Sequence, residues 1–429
     1  MEQLKVIVIG AGGRGSGYTN IMANYSDKFK VVGVAEPVDD RRNYIKEKHG
    51  CDEANCYTTW EHILTVPKFA DIAIISTMDQ LHLAPAMKAL ELGYDLLLEK
   101  PVSVNPEECG MIYKQAKKYG RKIMVCHVLR YTPFYMRLKK IIDDGILGKV
   151  ISVEHVECVG NVHQSHSFVR GNWGNSGRSS FMLLQKCCHD LDILQWLLGK
   201  ECSKIHSFGS LSYFKRENAP EGSPERCIEG CPEADTCPYN AVKLYYDDKK
   251  NDWFRRASTQ KVAPTDEDVM EALKNTQYGK CVFKCDNDVV DHQTLNMEFA
   301  DSTTVTMTMC AFTKGGRYTH LMGTKGELWA EMGAEDGKQF RFYDFATREI
   351  TYLDAEIAVR GDSIVSGHGG GDEGIVNALY DYVTGAIGSE EVSEIGISCA
   401  NHMLVFAAEE SRLTGKVIDA KEFMNRYMA

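Results

Sequence analysis

The sequence is poor in the features that would take it into a membrane, onto nucleic acid or out of the cell. No apolar run approaches the roughly 18 residues that a membrane span needs. The N-terminus opens on a strand-like run in place of a charged stretch followed by an apolar one, so no secretory signal is expected. Positive charge is in deficit: 49 Lys and Arg against 60 Asp and Glu leave a formal charge of −11. No basic cluster offers a surface to a polyanion, which argues against a nucleic-acid partner. A disulfide framework is missing too, because the 15 cysteines are odd in number, spread through 429 residues and mostly set inside apolar runs. Reduced, buried thiols fit that pattern better. A cytoplasmic protein of two or three domains with a sizeable core is the expectation.

What the sequence does have is concentrated near its start. The β-branched run Val6 to Ile9 reads as a buried central strand and feeds Gly10-Ala11-Gly12-Gly13-Arg14-Gly15, followed by a helix over Ser16 to Tyr25. In a G-x-G-x-x-G of this context, Gly10 makes the tight turn, Gly12 admits a pyrophosphate to the backbone, and Gly15 lets helix and strand approach. The helix N-terminus then faces the phosphates. A second strand, Phe29 to Ala35, ends at Glu36, where an acid would accept the ribose hydroxyls of NAD and repel the extra phosphate of NADP.

The next strand, Phe69 to Ser76, delivers Ser76, Thr77, Asp79 and His82 to the carboxyl end of a parallel sheet, where ligands bind. His82 reads equally well as a helix-terminal residue without a ligand. Asp95 to Leu98 then delivers Glu99-Lys100-Pro101; proline biases Lys100 to an extended backbone that aims it at the crevice. A lysine there can pass a proton or polarise a hydroxyl. Arg121 to His127 reads as the last strand of a first domain, 1–128.

Residues 129–429 read as a second domain. Val150 to Val159 alternates like a strand with one solvated face, and a loop from Gly160 to Asn175 presents His163, His166, Arg170 and Trp173, a hydrogen-bonding and aromatic lining suited to a hydroxyl-rich ligand. Ser180 to Gly199 is helical, with Lys186, His189 and Asp192 along one face at i, i+3 spacing. Such a charged row in an apolar helix is costly unless paired or functional. Strands follow over Val289–Phe299, Thr303–Phe312, Arg317–Gly323, Gly326–Met332 and Gln339–Phe345, read as an antiparallel meander. Then come Gly367 to Asp372, in which His368 and Asp372 are candidates for substrate hydroxyls, and a packing helix over Ala400 to Thr414.

A Cys-rich insertion at about 215–252 carries Cys227, Cys231 and Cys237, a C-x3-C-x5-C in a polar loop. The spacing predicts a structural zinc site, ahead of an iron–sulfur cluster, completed by Cys281, Cys285 or Cys202; Cys281 is the first choice.

KVIVIGAGGRG, VVGVAEP, AIISTMDQLH, LLLEKP and KCCHDLD, in this order, resemble the Gfo/Idh/MocA family of glucose-fructose oxidoreductase and inositol dehydrogenase relatives. The resemblance implies an α/β protein: an N-terminal Rossmann domain that binds NAD and a C-terminal α+β domain with a large, mostly antiparallel sheet, assembled as a homo-oligomer, dimer or tetramer. It implies that Lys100 touches nicotinamide and substrate, that His189 sits beside the substrate hydroxyl as proton acceptor or orienter, and that Arg130 and Tyr131 line the substrate site. Many relatives carry an acid where this chain has Gln185, beside Lys186, which points to a different or charged substrate. The expected activity is hydride transfer between a sugar, glycoside or cyclitol and NAD. A glycosidase working through transient oxidation is the alternative, and a non-catalytic NAD-sensing regulator a further one.

Overall fold

Alternating side chains of the first strand fill two cores at once, which is why its sequence shows no polar face. In the computed structural model, which describes residues 3–354 and 368–428, β1 (Leu4–Ile9) sends Val6 and Val8 into one apolar cluster and Ile7 and Ile9 into another. This is the burial of a central parallel strand. With β2 (Phe29–Ala35), β3 (Cys56–Tyr57), β4 (Ile72–Ile75), β5 (Asp95–Leu98) and β6 (Ile123–Val125) it forms a parallel sheet of order β3-β2-β1-β4-β5-β6. The order switches between β1 and β4, and there the crevice opens beyond the carboxyl ends of the strands. The crossovers carry α1 (Gly13–Ala23), α2 (Asp39–His49), α3 (Trp60–Ile63), α4 (Leu83–Glu91) and α5 (Pro106–Tyr119). Helix α1 starts inside the glycine motif, ahead of the expected Ser16.

After α6 (Pro133–Asp143) come β7 (Val150–Cys158), β8 (Cys202–Ser210), β9 (His292–Phe299), β10 (Thr304–Cys310), β11 (Gly316–Gly323), β12 (Gly326–Met332), β13 (Phe340–Asp344), β14 (Ile350–Tyr352) and β15 (Ile418–Asp419). They form a second sheet of order β14-β13-β12-β11-β7-β10-β9-β8-β15, antiparallel except where β7 meets β10. The expected meander is therefore interrupted: β7, the earliest strand of this half, inserts between β10 and β11. It buries Val150, Val153, His155 and Glu157, so two of the four side chains it buries are ionisable.

The remaining helices are α7 (Asn161–Ser165), α8 (Met182–Leu198), α9 (Asp252–Thr259), α10 (Asp266–Asn275), α11 (Gly371–Thr384), α12 (Ile395–Thr414) and α13 (Ala420–Met428). Helices α8 and α12 pack on each other and on the second sheet. Helix α11 returns to the first: Ile375, Val376, Leu379 and Tyr382 join the core that holds Val6 and Val8, and Tyr380 meets Phe29 edge-on with ring centroids 5.6 Å apart. Of the glycine-rich stretch at 367–372, Gly367 lies outside the described residues.

Candidate active site

Gly10 has φ of +88°, and a Cβ there would fall 2.5 Å from the Ser76 carbonyl oxygen. At Gly15 a Cβ would fall 2.1 Å from the Gly10 carbonyl oxygen. Both glycines are thus demanded by the protein's own packing. Gly12 and Gly13 are not: a Cβ at Gly12 meets only Arg41 Nη1, at 3.9 Å, and one at Gly13 meets nothing within 4 Å. That open space lies at the start of α1, whose Gly12 N-cap supplies no side-chain oxygen to its N–H groups, which is what a phosphate-binding helix terminus requires. Glu36 follows β2, is buried, and accepts hydrogen bonds from the backbone N–H of Ala11 (2.7 Å) and Val38 (3.0 Å). A carboxylate has about four acceptor positions, so capacity for ribose hydroxyls remains. These residues fit a bound NAD.

The other expected cofactor residues are largely engaged within the protein. Arg14 turns away from the phosphate space: its Nε donates to Glu99 (2.9 Å) and its Nη atoms donate to Asp372 (2.7 and 3.1 Å), with His368 Nδ1 at 3.3 Å. Burial alone would raise the Glu99 pKa, but Arg14 and Lys100 hold it below the ordinary range. Ser76 Oγ donates to the Gly10 carbonyl (2.6 Å), Thr77 Oγ1 to the Leu81 carbonyl (3.2 Å), and buried His82 places Nδ1 2.8 Å from the Pro101 carbonyl. His82 therefore braces the turn after Lys100. Asp79 accepts from Trp173 Nε1 (3.2 Å) and Ser179 Oγ (2.7 Å), tying the second half of the chain to the crevice.

Lys100 Nζ donates to the Gln185 carbonyl (2.8 Å), one turn before His189 on α8. His189 is half-buried; its Nδ1 is enclosed and without a hydrogen-bond partner. Burial, with the charge of Lys100 beside it, holds its pKa well below the ordinary imidazole range, so it is neutral in the free chain. His127, at the end of β6, meets it edge-on with ring centroids 5.6 Å apart. Beneath them lies a buried ionic cluster: Lys186 Nζ is 3.3 Å from Glu157, and Arg317 Nε donates to Asp190 (2.7 Å), which also faces His155 Nε2 at 3.0 Å. His163 is within reach of Lys186 and Arg317; burial first, then those charges, push it down to about 2.

Several expected substrate residues are committed elsewhere. Asp192 accepts two hydrogen bonds from buried Arg130 (2.6 and 2.7 Å) and one from Asn401, so this pair is a structural clamp. Tyr131 OH bonds Ser393, His166 Nδ1 bonds Tyr245 OH (2.9 Å) and stacks on Phe254, and Asp372 and His368 are held in the Arg14 cluster. Arg170 donates to the carbonyls of Lys280 (2.8 Å) and Tyr239 (2.7 Å). Buried pairing is the common reason: a charge inside the core must find its partner there, and spacing along the chain does not reveal which. Glu157, Arg317 and His127 escaped the sequence reading. Their signal was present for β7, where ionisable residues take the inward parity of an alternating strand.

The zinc expectation is corrected. Cys227, Cys231, Cys237 and Cys281 do line one cavity, but among the described residues no group of three or more His, Cys, Asp or Glu side chains is arranged to hold a metal ion. Cys202 is taken into the main core, and the Cys285 thiol faces the Cys281 carbonyl.

A doubly wound parallel sheet with a glycine loop at its switch point, and a lysine and a histidine meeting at its mouth, define a dinucleotide-dependent oxidoreductase. Residues 4–127 match the NAD-binding Rossmann domain of the Gfo/Idh/MocA oxidoreductases, and residues 139–342 match the family's C-terminal α/β domain. The chain belongs to this family and is an NAD-binding oxidoreductase. The oxidoreductase YteT of Bacillus subtilis is 23% identical over 373 residues, 84% of either chain. An inositol 2-dehydrogenase/D-chiro-inositol 3-dehydrogenase of Lactiplantibacillus plantarum is 24% identical over 222 residues, 52% of this chain and 60% of its own. A solved oxidoreductase from Agrobacterium radiobacter, in complex with NAD+, L-tartaric acid and magnesium, shares the fold with a TM-score of 0.69 at 14% identity, covering 98% of this chain and 99% of that one.

Proposed function

We propose that the protein is an NAD-dependent dehydrogenase of a sugar, glycoside or cyclitol, in which His189 accepts the substrate hydroxyl proton and Lys100 holds the hydroxyl oxygen. The observation that carries this reading is the Lys100 Nζ bond to the Gln185 carbonyl, which brings an ammonium and a neutral imidazole together although they come from opposite halves of the chain. NAD, when bound, supplies the hydride acceptor. Gly12, Gly13 and Glu36 hold the dinucleotide; Lys186 and His163 bias the pocket towards a polar or anionic substituent on the substrate. The printed functions of relatives, inositol dehydrogenases among them, support a hydroxylated ring as substrate.

The test is NADH absorbance against a panel of polyols, sugars and sugar acids. Lys100→Ala and His189→Ala are expected to lower kcat/KM by about 10²- to 10⁴-fold while NAD still binds. Unchanged turnover in both variants would sink the assignment. A second reading, transient oxidation that ends in elimination or hydration, draws on a relative named 2,7-anhydro-N-acetylneuraminate hydratase from Mediterraneibacter gnavus, 26% identical over 200 residues. It predicts substrate conversion without net NADH.

We also infer a cytoplasmic homo-oligomer assembled through the second sheet, which leaves Phe208 63% and Tyr318 44% exposed on β8 and β11. Light scattering is expected to give a multiple of the 48.1 kDa chain mass; a monomer at all concentrations would refute it.

A further inference from the structure

Three histidines from separate elements meet in the interior beside the crevice, and the middle one lacks a partner. His127 follows β6, His189 lies on α8 and His402 on α12; the His127 ring stands edge-on to both, 5.6 Å from His189 and 5.5 Å from His402 between centroids. His127 is 0% exposed, yet neither of its ring nitrogens makes a hydrogen bond among the described residues. An imidazole left in that state bears the desolvation cost of one N–H and one lone pair, so its retention in the core calls for a reason.

His402 is not the missing partner. Its Nδ1–H donates to the Ser398 carbonyl (2.7 Å) and its Nε2 accepts from the Val102 N–H (3.1 Å), so both nitrogens are taken and its tautomer is fixed. On another side, His127 Nε2 points at Asp192, 3.9 Å from Oδ1. What remains is Nδ1 of His127 and Nδ1 of His189, both enclosed and both unpartnered. A hydrogen bond of ordinary length between two ring nitrogens sets imidazole centroids about 5.2 Å apart, only slightly less than the separation here. Hydrogen bonds around a catalytic base are commonly this loose before substrate binds.

We propose that His127 is a positioning residue that holds His189 in its Nδ1–H tautomer: His189 Nδ1–H donates to His127 Nδ1, and His127 Nε2–H donates to Asp192. The inference rests on His189 as the base of the proposed reaction and supplies what orients it. With Nδ1 committed inward, His189 presents the lone pair of Nε2 to the crevice, beside Lys100. When Nε2 takes the hydroxyl proton, the imidazolium still has an acceptor for its inner N–H, and the charge is not left unpartnered in the core. That bond offsets part of the penalty which burial and Lys100 place on a charged His189. Asp192 is itself held still by Arg130 and Asn401, so the row is anchored at its far end. The logic is that of a catalytic triad with a second imidazole interposed.

The test starts from His127→Phe, which keeps a ring of similar size and removes both unpartnered nitrogens; a histidine that only packs would tolerate it. With NADH formation as the readout, kcat should fall about 10- to 100-fold while KM, NAD affinity and melting temperature hold. His127→Asn, whose Oδ1 stands in for Nδ1 as acceptor, should recover part of the loss. Wild-type kcat in His127→Phe overturns the proposal. Nitrogen NMR of the imidazoles in the wild-type chain decides it independently of turnover and of any variant's folding: His189 as the Nδ1–H tautomer supports it, and the Nε2–H tautomer refutes it. If no compound in the panel yields NADH, the reading of His189 as base fails, and the tautomer still decides the role of His127.

Discussion

At the scale of residues, burial decides protonation before any partner does. It holds His127 down to about 4, and His402 and His166 to about 3, against about 6.5 for an unfolded imidazole. The folded chain therefore keeps these groups neutral while the unfolded chain takes up protons below about pH 6.5, so unfolding gains protons and stability falls as pH drops from there towards about 4. The melting temperature should decline over that window and be flat with respect to these histidines above it; a melting temperature that rises on acidification would contradict their burial. Lys100 and Glu36 were legible in the sequence because each sits at a fixed offset from a strand end. Arg130 with Asp192, and Arg14 with Asp372, were not, because the partner lies on a distant element and only folding pairs them.

At the scale of elements, the glycine loop separates two kinds of requirement. Gly10→Ala forces a residue into the left-handed region, at about 1–3 kcal/mol, and overlaps the Ser76 carbonyl as well. It should lower both stability and NAD affinity. Gly12→Ala meets no protein atom closer than 3.9 Å. It should leave the melting temperature of the NAD-free chain unchanged and weaken NAD binding by at least about tenfold, which costs about 1.4 kcal/mol. Equal losses of stability in the two variants, followed by thermal denaturation, would refute the distinction. Sequence periodicity found the strands well but not their neighbours: nothing in residues 150–158 announces that β7 inserts between β10 and β11. Helices α9 and α10, which follow the insertion, were missed too, although Thr265 and Asp268 form a reciprocal cap that was readable as T-x-x-D.

At the scale of the whole molecule, the two halves share structure. Helix α11 packs on α1, and Lys122 Nζ donates to the Tyr382 carbonyl (2.6 Å); Cys399 of α12 sits against the Cys109 carbonyl of α5 at 3.4 Å. A fragment ending at residue 128 should accordingly lack the cooperative melting of the full chain and expose dye-binding apolar surface. A sharp, NAD-stabilised transition in that fragment would show that the first sheet needs no downstream cover.

The return of α11 also sets a schedule for biosynthesis. On the ribosome, strands β1 to β6 emerge long before Ile375, Val376 and Leu379 are translated, so the nascent nucleotide-binding layer waits with one greasy flank open. Its final closure waits until α11 has been made.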